Sequence, residues 1–576
     1  MLFVFLYMPD SIQKDKKIVA RVDEKMAGRK FRQRRHRQWD DNYQLYRNEV
    51  KLNRLTQRQD VNIPLMKETI KTMLTKIDDP PIVDWQELNG DEHKEILFQE
   101  MWNSDFDRLN FEGIDVQDKK TVMLYGRGFK KLDWGEDGFS CNAMDIYDVI
   151  VDPLVNPLDL ETARYMVHQN IFRSLHDVME DDRYTQTGRA KLKQYLKSED
   201  AVVQSGQNRI EWEYKTRRLR EFDTEEHQFD WFNNIAAGDV IVNLTEHISN
   251  VWNNKKKKFE KRVIIYADDA IELMDRPLME VLGVDFFPYV TWGEDVETND
   301  FWSDGPGDLV RTPNKVLNIW YSQMVENRTL SNFQMHWFDA TQENYEPQTY
   351  EPGQGRMLPA PGNPNETIMP VAVNGLDETM TAIDFIIRMV ERGTAVTAID
   401  KGVSEKKQIT LGEVEILVGK AMERTVALSK FYRRSWYDLA IKYYQLKMAN
   451  QKKPVKLYKL SASGKTWPKT VTRKDWVSEL GYRPTVSSAN EQEEKKVKKV
   501  QMFDFIMQRF PQNIALRKLG RKKMLEMVDL TPEELRQVED AEQNKEATEE
   551  AQVTQPEQGQ QQIQQKLSAL TQLQNA

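Results

Sequence analysis

Thr312-Pro313-Asn314-Lys315-Val316-Leu317-Asn318-Ile319-Trp320-Tyr321-Ser322-Gln323-Met324-Val325 opens the part of the chain, residues 304–448, whose reading decides the fold. A proline at the first helical position leaves no amide unpaired, and Val316, Leu317, Trp320, Tyr321, Met324 and Val325 recur at helical spacing. A helix is therefore expected from Thr312-Pro313 to about Phe333. From Asp339 to Leu376 the periodicity breaks under Pro347, Pro352, Pro359, Pro361, Pro364 and Pro370, with four glycines among them, which makes turns and short strands. Asp377 to Arg392 is helical again, with Met380, Ile383, Phe385, Ile386, Ile387 and Val390 as its apolar face and Gly393 as its C-cap.

Residues 394–409 then carry Asp400-Lys401-Gly402 and Glu405-Lys406-Lys407 into Thr410-Leu411-Gly412-Glu413, which has the Ser/Thr-x-x-Glu form of a capping box. The helix it opens runs without proline to about Met448, and its 39 residues at 1.5 Å each span roughly 58 Å. Apolar residues lie all round it, Leu417, Phe431, Trp436 and Tyr443 among them, so it needs partners on several sides. Repeated heterologous contacts about an axis would supply them and close a ring.

This order resembles the portal proteins of tailed double-stranded DNA bacteriophages. The resemblance extends to the Arg-rich opening before Trp39-Asp40-Asp41-Asn42-Tyr43, and to Tyr125-Gly126-Arg127-Gly128-Phe129-Lys130-Lys131 with Asp145-Ile146-Tyr147-Asp148-Val149-Ile150-Val151-Asp152-Pro153, which are similar to portal wing strands. It covers roughly residues 30–510, and none of its motifs is catalytic in kind. The resemblance implies an elongated α+β subunit: a mixed α/β wing with a basic N-terminal helix over 1–303, a first stem helix over 304–333 and a small α/β clip over 334–376. It further implies a second stem helix over 377–393, a tunnel loop over 394–409, a long helix over 410–448, return strands to the wing over 449–489 and crown helices over 490–540. An acidic, Gln-rich tail over 541–576, disordered or weakly helical, follows.

The same resemblance implies a ring homo-oligomer, typically a dodecamer, at one capsid vertex of the virion, assembled in the host bacterial cytoplasm. Viral double-stranded DNA would be packaged and ejected through it. Its expected partners are that DNA, the large terminase, the major capsid or scaffolding protein and tail adaptors, with no membrane and no cofactor. Lys401, Lys406 and Lys407 are candidates for transient phosphate contact in the tunnel loop, and Arg356 for docking at the clip. A tunnel that lets DNA slide needs few strong phosphate contacts, because each neutralised phosphate adds affinity. The net charge of −9 at pH 7 suits that demand.

Composition bounds the other readings. The 576 residues suffice for two to four domains, and 39% hydrophobic residues with 14 Trp, 23 Phe and 20 Tyr can bury a sizeable core. The single cysteine, Cys141, excludes an intrachain disulfide and a cysteine-rich metal site, and is expected as a buried thiol. The apolar start, Met1 to Met8, is too short to span a bilayer and is read as neither signal nor anchor; Met8 is a second candidate start. Residues 14–58 hold 15 Lys/Arg against six acids, with Arg32, Arg34, Arg35 and Arg37 as candidates for nucleic-acid contact, or else a helix with solvated charges and inward aromatics. Lys255-Lys256-Lys257-Lys258 reads as a solvated hairpin tip.

Enzyme signals are poor. Ser463-Gly464-Lys465-Thr466 imitates the end of a phosphate-binding loop, but Lys459 stands where the loop needs its first glycine, and Trp467-Pro468 would abort the helix that must follow. The histidines (His36, His93, His168, His176, His227, His247, His336) show no metal-binding spacing. Asp181-Asp182, Asp268-Asp269 and Glu294-Asp295 could ligate Mg²⁺ but have no accompanying general base. No catalytic or metal residue is assigned; the alternatives are a metal-dependent nucleic-acid-processing enzyme and a small-oligomer nucleic-acid-binding protein.

Overall fold

The computed structural model describes residues 16–48, 61–77, 81–196, 241–332, 336–338, 368–370, 377–394, 396, 411–460, 466–487 and 502. Its class is α+β, and the chain divides into two compact units: residues 1–83 with 105–451, and residues 84–104 with 452–576. In chain order the elements are α1 (Lys16–Arg47), α2 (Leu65–Lys76), β1 (Ile82–Glu87), α3 (Glu92–Leu109), α4 (Phe111–Tyr125), β2 (Arg127–Gly135), β3 (Gly138–Ala143), β4 (Val149–Val151) and β5 (Tyr165–Ser174). They continue as α5 (Leu175–Glu180), α6 (Gln186–Tyr195), β6 (Ile241–Asn253), β7 (Lys258–Ala267), β8 (Ile271–Pro277), α7 (Leu278–Val281) and β9 (Tyr289–Gly293). Last come α8 (Pro306–Asn332), β10 (His336–Phe338), β11 (Ile368–Pro370), α9 (Asp377–Thr394), α10 (Leu411–Asn450), β12 (Val455–Leu460), β13 (Thr466–Val471), α11 (Arg473–Trp476) and β14 (Tyr482–Ser487).

The first unit holds a three-stranded sheet in the order β3-β2-β9 and a five-stranded sheet in the order β4-β5-β6-β7-β8, antiparallel throughout. Helix α4 packs against β2 and β3, and α10 against β9. Between α4 and β2 the backbone turns at Gly126, whose φ of +83° is left-handed; a Cβ there would stand 2.0 Å from the Ser303 carbonyl oxygen. Only glycine meets both conditions.

Helix α1 explains how a basic segment enters a core. Ile18, Lys25, Arg32, Trp39 and Tyr46 recur every seven residues, nearly two turns, and all five are buried. Gly28 lies near this stripe, where a Cβ would meet Ile150 at 2.4 Å, so the helix approaches β4 as closely as glycine permits. Around Trp39 the rings of Tyr147 and Trp302 stand edge-on at 5.4 Å each, and Trp302 also meets Phe129 and Phe301. Truncating such a fully buried ring to alanine costs about 3–5 kcal/mol.

Helix α8 begins at Pro306, not at Thr312-Pro313 as the sequence led us to expect, and Pro313 lies inside it. Pro306 satisfies the same first-position rule nearly two turns earlier, and Asp308 caps that turn: its carboxylate accepts from the Gly305 amide at 3.1 Å. Burial of Val310, Asn314 and Leu317 holds the helix together across the internal proline. Helix α9 likewise runs through Gly393, the expected C-cap, to Thr394, whose hydroxyl donates to the Val390 carbonyl at 2.9 Å. It packs on α8.

A polar ladder on α8 ties down the segment before α2. Asn314, Asn318 and Ser322, four residues apart, accept from the backbone amides of Met66, Ile63 and Val61 at 2.9, 2.9 and 3.0 Å. Amides in an irregular segment and a first helical turn have no intrahelical acceptor, so these side chains supply one.

In the second unit, β1 pairs with β14, and β12 with β13 in an antiparallel hairpin. Its core is aromatic: Phe98 stacks on Tyr482 at 4.4 Å and meets Trp85 edge-on at 4.8 Å, with Trp102 and Trp476 beside them. Thr472 and Asp475 cap α11 reciprocally.

Candidate functional site

The sequence-selected residues fall in different places. Lys401, Lys406, Lys407 and Arg356 lie outside the described residues, as does the crown segment over 490–540 apart from Met502. Of the arginines on α1, Arg32 is buried and donates to the carbonyls of Tyr147 and Val149, both at 2.7 Å. Burial, reinforced by Arg29, pulls its guanidinium down to about 10. Arg35 is bonded to Asp304 and reaches Asp300 at 3.5 Å. Arg34 is exposed, stacks over Phe31 at 4.5 Å and lies 3.7 Å from Asp300; Arg37 is exposed. The segment thus divides: Arg32 and Arg35 serve the fold, and Arg34 and Arg37 face outward.

The paired acids are occupied by neighbouring cations. Asp181 holds Arg183 at 2.6 Å and Arg173 at 3.4 Å, and Asp269 holds Lys25 at 2.8 Å. No group of three or more His, Cys, Asp or Glu side chains among the described residues could hold a metal ion. The stretch after Lys465 is β13, a strand beginning at Thr466, where a phosphate-binding loop requires a helix. Among the described residues no helix is long and apolar enough to cross a membrane.

Glu294, next to β9, is the exception among the acids. Burial first and the Asp295 carboxylate second push it up to about 7. A carboxyl raised in this way keeps its proton in the fold while the unfolded chain, with the ordinary value of 4.5, has lost it. Stability therefore falls as pH rises from 4.5 towards 7 and stays lowered above that. Glu294→Gln is expected to raise stability at pH 8, by at most about 3 kcal/mol, and to leave it nearly unchanged at pH 4. Thermal melts at the two pH values test this; an equal change at both would contradict it.

Among the described residues, charge is concentrated in a buried cluster beneath α10. Lys130 of β2 lies 2.6 Å from Asp118 and 3.2 Å from Asp115, both on α4, and Lys119 lies 2.9 Å from Asp115. The Tyr432 hydroxyl donates to Asp115, and the Trp292 indole to Asp118 at 2.7 Å. All four charged residues are at most 4% exposed. Burial pushes Asp115 up, but Lys130, Lys119 and Tyr432 outweigh it and hold the carboxyl below its ordinary range. Lys130, which burial would discharge, is held above its ordinary value by Asp118 and Asp115. Cys141, buried beside them, is pushed up to about 12, which leaves it a thiol.

The charged groups of this cluster are enclosed, and through Tyr432 it ties α10 to α4 and β2. Farther along the same helix Lys442 donates to Glu161 at 3.0 Å and to the carbonyls of Phe287 and Tyr289 at 2.8 Å. Tyr443 and Lys447 both bond Asp105, and Asn450 donates to the Leu282 carbonyl at 2.7 Å. The helix is therefore tied at Tyr432 and again, nearly three turns on, at Lys442, Tyr443, Lys447 and Asn450 by buried and part-buried polar contacts. Periodicity could not reveal these anchors, because Lys442 and Lys447 look like ordinary surface lysines until their acceptors, more than 150 residues away, are in place.

On α8 and α9 the situation is reversed. Leu309, Ile319 and Val325 on one helix, and Met380, Phe385 and Met389 on the other, are 47–67% exposed although the two helices pack together.

No protein-family model matches the chain, and no curated protein does. Among solved structures it is similar to a chain of the virion of a native gene transfer agent particle, with 10% identity over 71% of this chain and 82% of that one and a TM-score of 0.33. It is also similar to a chain of the neck of an empty gene transfer agent particle computed with C6 symmetry, with 8% identity over 81% of this chain and 89% of that one and a TM-score of 0.35. Likenesses of this size carry no argument about function, which is left to the residues themselves.

Proposed function

We propose that the chain is a portal subunit: one member of a ring at a capsid vertex through which double-stranded DNA is packaged and ejected. The observation that supports this best is the succession α8, the β10–β11 pair, α9 and α10. Two mutually packed helices flank a short antiparallel pairing, and a helix of 40 residues, about 60 Å, follows. Exposed apolar side chains on α8 and α9 suit contacts repeated about an axis. The anchored end of α10 gives such a ring a rigid base.

In this reading α8 and α9 are the stem, residues 334–376 the clip and residues 394–409 the tunnel loop, with Lys401, Lys406 and Lys407 making transient phosphate contacts as DNA slides. Arg356 serves docking at the clip, and Arg34 and Arg37 remain available to an acidic partner or to DNA. Terminase, scaffolding or capsid protein and tail adaptors are the further partners, and the ATP-driven motor is a separate protein.

Native mass spectrometry of the purified protein is expected to find a closed ring. Twelve copies of the 67.8 kDa chain make 12 × 67.8, about 814 kDa. Negative-stain images should show a central hole. A monomer or dimer at high concentration, with no ring formed, would count against the portal reading.

A further inference from the structure

Strands β6 and β7 outrun their sheet. Pairing with β5 ends at Ser249 and pairing with β8 at Arg262, so Val251, Trp252 and Asn253 pair only with Glu260, Phe259 and Lys258. A bare two-stranded ribbon is marginal in water. This one is held by its own side chains: Asn253 accepts from the amides of Lys255 and Lys256 at 2.9 and 3.2 Å, and Lys256 reaches Glu260 at 3.3 Å.

Two features of the tip contribute little to the fold. Trp252 and Phe259, register partners on one face, form an edge-on pair at 5.1 Å, yet remain 48% and 64% exposed. Of the basic residues, Lys256, Lys261 and Arg262 have acidic partners, at Glu260, Glu161 and Asp275, whereas Lys255, Lys257 and Lys258 are exposed with no acceptor among the described residues. Three exposed ammonium groups thus share the hairpin tip with two exposed rings, Lys258 on the opposite face of the ribbon from Phe259, on a chain of net charge −9.

We propose that this tip binds an unpaired stretch of nucleic acid, with Lys255, Lys257 and Lys258 on consecutive phosphates and a base stacked against Trp252 or Phe259. Lysine is depleted from the cores of protein–protein interfaces, so three of them on the same tip as an exposed aromatic pair fit a polyanion with flat, apolar faces better than a protein partner. Aromatic rings accept any base by its face, while the lysines follow the backbone, so the site is indifferent to sequence. This site shares no residue with the proposed tunnel loop, and the proposal does not rest on the portal reading.

The test is fluorescence anisotropy of a labelled oligothymidylate of about 20 nucleotides, and of a duplex of the same length, with the full-length protein between 50 and 200 mM salt. W252A/F259A is expected to weaken oligothymidylate binding about tenfold. K255Q/K257Q/K258Q is expected to lower the slope of log affinity against log salt by about 2, at about 0.7 for each phosphate no longer neutralised. All five side chains are exposed, so the lysine variant should leave the thermal melt unchanged and loss of the cross-strand aromatic pair should lower it only slightly. Unchanged binding in both variants would overturn the proposal, as would loss in the lysine variant alone, duplex bound as tightly as the single strand, or binding only to phosphatidylglycerol vesicles. Subunit number, measured on the same samples, reports separately on the portal reading.

Discussion

Lys130→Met is expected to lower the unfolding free energy by about 3–5 kcal/mol, the usual consequence of removing one member of a buried ion group and leaving its partners charged. Asp115 would then keep Lys119 as a cation, while Asp118 would lose the ammonium that stands 2.6 Å away. Urea and thermal denaturation followed by circular dichroism measure the loss. The sign with pH is also determined. In the wild type Asp115 lies below its ordinary value of 3.8, so its contribution is complete above that pH and is lost as pH falls through the lower, folded value. In the variant Asp115 loses its principal cation and its pKa rises, so the deficit should shrink on acidification. Adding Asp118→Asn should recover part of the stability, since the amide still accepts from Trp292 while Asp115 keeps Lys119. A loss below about 1 kcal/mol for Lys130→Met would show that the cluster does not hold α10 in the way argued.

If the proposed ring closes through α9, Phe385→Glu combined with Met389→Glu is expected to abolish it and leave a folded monomer of about 67.8 kDa. In the isolated chain both side chains are exposed, so the substitutions should alter its stability by no more than about 0.5 kcal/mol each. At a repeated interface each would bury a carboxylate without a partner in every subunit, and a closed ring multiplies that cost by its subunit number. Native mass spectrometry distinguishes the outcomes. An intact ring would place the subunit contacts elsewhere than on this face of α9.

The elements easiest to read in advance were those whose signals are local. The periods of 377–392 and 410–448 lie near the observed bounds of α9 and α10, because an apolar stripe and its interruption are properties of neighbouring residues. The lysine run at 255–258 does sit at a hairpin tip between β6 and β7, and the segment after Lys465 is not helical. The start of α8 was misplaced for an instructive reason: Pro306 and Pro313 satisfy the same rule, and only the burial of Val310, Asn314 and Leu317 selects the earlier one.

Sequence alone determined that this is an α+β chain with a proline-rich interruption between two helices, a very long third helix and a lone cysteine, which is buried. Tertiary structure decided what each polar residue does. Lys25, Arg32, Lys442 and Lys447 read as surface cations in any local window, yet each is drawn out of water by oxygens contributed from distant parts of the chain. Asn314, Asn318 and Ser322 became a ladder only because a segment 250 or more residues away, measured from Asn318 and Ser322, presents its amides to them. The physical reason is desolvation: whether a charge or amide can be buried depends on the partner that meets it, and partners are chosen by the fold and not by the neighbours in sequence.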